Sequence, residues 1–77
     1  MKEFHILLRS GSQVQSFVNI SMTQPFDVLV GYEGQDINGK DLMGMFSLDY
    51  SAPIRVRVKC SQEEFLKFRQ SAKEYMV

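Results

Sequence analysis

The chain reads as an α+β domain, a β-sheet with helices packed on one face. Three observations lead there. Ile54, Val56 and Val58 alternate with Arg55, Arg57 and Lys59, the period-two pattern of a half-buried strand. Ser61-Gln62-Glu63-Glu64 opens the last segment as a capping box, in which the serine and the glutamate three residues on satisfy each other's backbone donors. Ahead of both, a strand, an ambiguous element, a hairpin and a short helix follow one another, divided by Gly, Pro, Ser and Asn breaks.

Phe4, Ile6 and Leu8 alternate with His5, Leu7 and Arg9, which predicts a first strand; Ser10-Gly11-Ser12 breaks it. From Gln13 to Gln24 two patterns overlap. Val14, Phe17, Val18 and Ser21-Met22 share a helical face, while Val14, Val18, Ile20 and Met22 also fit a strand. Intrinsic propensity leans to the strand, because Val, Ile, Asn, Ser and Thr are mediocre helix formers. The residues alone leave this element open. Pro25 ends it in either case.

Val28, Val30 and Tyr32 predict the next strand, Glu33-Gly34 a tight turn, and Gln35 to Ile37 a short strand pairing back. Asn38-Gly39 turns the chain again. Asp41 is placed to cap a short helix from Leu42 to Leu48. Gly44 inside that helix costs about 1 kcal/mol against alanine, which predicts close packing there. Tyr50-Ser51-Ala52-Pro53 is a loop before the strand of residues 54–58. In the last helix Phe65, Phe68, Ala72 and Tyr75-Met76 form one apolar stripe flanked by Leu66 and Arg69, and Glu63 and Lys67 sit four apart in the favourable order.

Seventy-seven residues suffice for one domain, residues 1–77, with no room for a second core. At 44% hydrophobic and 23% charged residues the composition is that of a globular protein. Nine basic and nine acidic residues cancel, which argues against nucleic acid or an anionic membrane as the main partner. The apolar run Ile6-Leu7-Leu8 is too short for a signal peptide or a membrane span. A single cysteine, Cys60, excludes an internal disulfide and a C-x-x-C pair, so a reducing, cytoplasmic setting is expected.

The stretch Lys40-Asp41-Leu42-Met43-Gly44, followed by Met45-Phe46-Ser47-Leu48, resembles the second helix of the histidine-containing phosphocarrier proteins (HPr) of the sugar phosphotransferase system. The resemblance covers nearly the whole chain, is best from Val28 to Val58 and is weak from Gly11 to Pro25. It implies an open-faced sandwich, a four-stranded antiparallel sheet covered on one face by three helices, and makes the ambiguous second element a helix.

The departures bear on function. The family carries Gly-Leu-His-Ala-Arg-Pro-Ala where its first strand meets its first helix, with the imidazole near a helix start whose amides, with the arginine, can hold a phosphoryl group. Counted on from the first strand, this chain reads Gly11-Ser12-Gln13-Val14-Gln15-Ser16-Phe17, with Gln13 at the histidine position and Gln15 at the arginine position. Neutral amides neither accept a phosphoryl group at nitrogen nor pair with its charge. The only histidine, His5, lies mid-strand. The family's regulatory serine matches Asp41, which reads either as a plain helix cap or as a partial mimic of phosphoserine, with one charge where phosphate carries up to two.

By the same resemblance Asp41, Leu42, Met43 and Phe46 form the surface that docks a partner. Residues 42, 45 and 46 can share a buried face, which leaves Met43 the most exposed of the four apolar residues. The expected function is that of a non-enzymatic HPr-like module binding a protein partner, a phosphotransferase enzyme or a sugar-responsive regulator, through its second helix. The alternatives are a phosphocarrier with another acceptor residue and a structural domain that self-associates as a homodimer. No cofactor or metal is expected, since no His, Cys or acidic cluster surrounds His5, and no Ser–His–Asp set is visible. Arg55, Arg57 and Lys59 are expected on the solvated face of the sheet, and Cys60 partly buried and inert.

Overall fold

The alternation in residues 54–58 is realised side chain by side chain: Ile54, Val56 and Val58 are buried, while Arg55 and Arg57 stand on the opposite face. In the computed structural model, which describes residues 1–32 and 34–77, the elements run β1 (Lys2–Ile6), α1 (Gly11–Met22), β2 (Val28–Tyr32), β3 (Gln35–Asn38), α2 (Leu42–Phe46), β4 (Ile54–Val58) and α3 (Gln62–Ser71). A single 3-10 turn, Lys73–Tyr75, follows α3. The four strands pair antiparallel in the order β1-β4-β2-β3. Phe4, Val56, Val30 and Ile37 lie in one cross-strand row on the inner face. His5, Arg55, Gly31 and Asp36 lie in one row on the open face.

The helices supply the other half of the core. Val14, Phe17, Val18 and Ser21 of α1 are buried, so the helical reading of the ambiguous segment holds. Of the residues that fitted the strand pattern, Met22 is instead left exposed. Phe68 of α3 is the hub of an aromatic cluster, with Phe4, Phe26 and Phe17 rings 5.5, 5.7 and 6.1 Å away. The capping box forms as expected: the Glu64 amide donates to Ser61 Oγ and the Ser61 amide donates to Glu64 Oε1. Beyond the 3-10 turn the chain returns to β1, with the Leu7 amide donating to the Tyr75 carbonyl and the Val77 amide to that of His5. This covers part of an otherwise open sheet edge.

Two expectations at the hairpin and α2 are adjusted. Half of the expected Glu33-Gly34 turn, Glu33, lies outside the described residues; Gly34 has φ +80°, a conformation open to glycine. The second helix ends at Phe46, two residues early, and closes in tight turns in which the Ser47 and Leu48 amides donate to the Gly44 and Met45 carbonyls. Gly39 sits so close to β2 that a Cβ there would lie 2.8 Å from Val28 Cγ1 and 2.9 Å from Val30 Cγ2. Among the described residues no helix is long and apolar enough to cross a membrane.

Candidate functional site

The surface singled out in the sequence is built by the start of α1 and the whole of α2, which pack on one another. Ser10 caps α1, its hydroxyl accepting from the Gln13 amide, while Gln13 Oε1 accepts from the Arg9 amide at 2.7 Å. The Ser10 and Ser12 hydroxyls are 3.1 Å apart. Gln13 is thus the third residue of the helix, and its carboxamide is engaged in folding the chain into it. Gln15 is exposed. His5 stands exposed on the open face of the sheet, away from this corner.

In α2, Met45 is completely buried and Leu42 half-buried, while Met43 is 80% and Phe46 50% exposed. The expected face of residues 42, 45 and 46 therefore turns fully inward only at its Met45 edge. Helical geometry explains this, because at about 100° per residue Met45 and Phe46 lie on opposite sides of Leu42, so burial falls from Met45 through Leu42 to Phe46 and then Met43. Met43 and Phe46, three apart, project side by side. The Phe46 ring also reaches α1: a Cβ at Gly11 would lie 3.5 Å from Phe46 Cε1. That contact was not legible in the sequence, although the glycine just after the first strand was a signal of close approach.

Asp41 differs from a usual cap. It occupies the capping position with an extended backbone, but its carboxylate makes no capping hydrogen bond. The preceding turn is held by Asn38 instead, whose Oδ1 accepts from the Lys40 amide and whose carbonyl accepts from the Asp41 amide. The carboxylate leans over Gly44, where a Cβ would come within 3.0 Å of Oδ2. Gly44 is thereby accounted for as the site of a close approach. Lys40 donates from Nζ to the Gln24 carbonyl at 2.8 Å, tying the start of α2 to the end of α1.

The other end of α2 is secured by a residue the sequence placed only in a loop. Tyr50 Oη donates to the Met45 carbonyl in the last turn of the helix, an oxygen that also accepts from the Leu48 amide. Burial, with the neighbouring Tyr32 adding to it, pushes the Tyr50 hydroxyl up to about 12. Tyr32 is raised as well, by burial first and by Asp49 second. Cys60 is partly buried and its thiol raised by burial, so the nucleophilic thiolate is disfavoured. Among the described residues no three His, Cys, Asp or Glu side chains gather as metal ligands would.

Comparison with solved structures decides what this arrangement is similar to. HPr-C-His from Thermoanaerobacter tengcongensis matches 96% of this chain and 92% of its own with a TM-score of 0.75, at 22% sequence identity. The chain has the HPr fold. No family model and no curated protein matches the sequence. The expected architecture, an open-faced four-stranded antiparallel sheet with three helices, is thus the one observed. Within this HPr-like frame the exposed Phe46, with Met43 beside it on α2, reaches the start of α1, and the corner between β1 and α1 carries Arg9, Ser10, Ser12 and Gln13.

Proposed function

We propose that this chain is a non-catalytic HPr-like module that binds a protein partner through α2 and the adjoining start of α1. The observation that carries the reading is the pair Met43 and Phe46, two large apolar side chains left exposed side by side on a helix whose remaining residues are packed. Flexible methionine and an aromatic ring are the residue types that adapt to a partner surface. Leu42 extends the patch toward the core, and Asp41 adds an acidic rim whose carboxylate is spared from capping. A fixed negative charge at that rim suits a partner that reads a permanently acidic state.

The resemblance to HPr supports phosphotransferase enzymes or a sugar-responsive regulator as the partner, and a cytoplasmic setting. Gln13 and Gln15 support the absence of phosphohistidine relay, since neither amide carries a phosphoryl group, and His5 belongs to the sheet.

The test is binding of purified phosphotransferase-system enzymes to wild type, Met43→Ala and Phe46→Ala. Capture by wild type that is lost in either variant, with an unchanged circular dichroism spectrum, is the expected result. Acid-labile label transferred to this chain from labelled phosphoenolpyruvate by the system's first enzyme would instead make it a carrier. Binding that survives both substitutions would move the docking surface away from α2, and a mass rising with concentration in wild type but not in Phe46→Ala would replace docking with self-association.

A further inference from the structure

On the opposite side of the molecule, the open face of the sheet carries a depression that the α2 reading does not use. It is lined by His5, Gly31, Tyr32, Pro53 and Arg55. We propose that this depression binds a small oxyanion, a carboxylate or phosphate group, through the Arg55 guanidinium with His5 at its rim.

The cross-strand row explains the shape. His5, Arg55, Gly31 and Asp36 face each other across all four strands, and glycine leaves a gap beside Arg55. No side chain can fill that gap, because a Cβ on Gly31 would collide with the Gln35 carbonyl oxygen. The floor is therefore backbone and the walls are side chains.

The charges explain the ligand. Asp36, the one acid in the row, is taken by Arg57, which reaches diagonally across β2 to pair with it. Arg55 is left with Glu3, whose carboxylate lies 4.0 Å from Nε, outside hydrogen-bond range, on a half-exposed side chain. Arg55 Nε is itself shielded from solvent and has no hydrogen-bond partner among the described residues. A guanidinium whose Nε lacks an acceptor has charge left over, and an oxyanion on the exposed part of the side chain neutralises it. The two terminal Nη groups of a guanidinium also form a fork that matches two oxygens of a carboxylate or phosphate. His5 adds a ring N–H directly across from Arg55.

Titration of the full chain with inorganic phosphate, and separately with acetate, followed through the arginine Nε–H and His5 ring NMR signals at constant ionic strength, tests this. A saturating shift of the Arg55 Nε–H and of His5 is expected, with Arg57 moving little. The arm that saturates at lower concentration identifies phosphate or carboxylate. Arg55→Gln weakens binding at least about tenfold, and Phe46→Ala leaves it unchanged, which separates this site from the α2 surface. Shifts of Arg55 that rise linearly, in step with those of Arg9 and Arg69, in both arms would overturn the proposal. Should Arg55→Gln not fold, the wild-type titration alone decides.

Discussion

Arg57 and Asp36 join the centre of the sheet to its edge: the guanidinium on β4 passes over β2 and donates to the carboxylate on β3. The pair is partly shielded, with the two side chains 31% and 17% exposed. β3 is only four residues long and is paired on one side alone, so this link holds a short edge strand in register.

Asp36→Asn or Arg57→Gln is expected to cost about 1–2 kcal/mol, because each leaves a shielded charge without its partner. The double variant is expected to lose less than the sum of the two. Urea unfolding of the four proteins measures this coupling, and strict additivity would mean that the pair contributes nothing of its own.

Phe68→Ala is expected to be the most damaging single substitution in the chain, about 3–5 kcal/mol. It removes the ring on which Phe4, Phe17 and Phe26 converge. Small domains are stable by only about 5 kcal/mol or somewhat more, so the variant should be largely unfolded in mild urea. A midpoint close to that of wild type would show that the cluster closes over the gap.

The two helix caps should respond differently. Ser61→Ala removes the Oγ acceptor of the Glu64 amide, leaving only the backbone half of the capping box, and is expected to cost about 1 kcal/mol. Asp41→Ala is expected to cost less than about 0.5 kcal/mol, since no capping hydrogen bond is lost. A thermal melt of each variant compares them directly; equal losses would mean that Asp41 does cap α2 in solution.

Alkaline stability should depend on Tyr50. The unperturbed hydroxyl titrates near 10.0 and the folded one near 12, so the native state holds this proton more tightly than the unfolded chain does. Its contribution is complete below about pH 10 and falls away as pH rises toward 12. Tyr32, raised in the same direction, adds to the loss. Tyr50→Phe should flatten this part of the stability–pH curve while lowering stability at neutral pH through the lost bond to Met45. A curve unchanged in shape would remove Tyr50 as its source.

Met43→Ala should leave the unfolding midpoint almost unmoved, because an 80% exposed side chain has little packing to lose. A large drop would place Met43 in the core and weaken the docking proposal.

Local patterns carried most of the fold. The alternation at Ile54–Val58, the capping box at Ser61 and the turn at Asn38-Gly39 are encoded within a few residues, and each appears where it was expected. The Gln13–Gln24 segment was different, since its apolar residues fit two periods and its propensities lean to the one not adopted. Burial of Val14, Phe17 and Val18 against the sheet decided it, an interaction with residues far away in the chain. The same holds for the sites. The exposure of Met43 followed from spacing alone, whereas the release of Asp41 from capping, the Phe46 contact with Gly11 and the bond from Tyr50 depend on how α1 and α2 meet. The depression beside Arg55 depends on the strand order that places His5, Arg55 and Gly31 in one row. Outside residues 13–24, sequence by itself determined which stretches are strands, helices and turns, because those are contests between neighbours. Which side chains remain free to bind was decided only by tertiary packing, because freedom is what is left after distant elements have taken their partners.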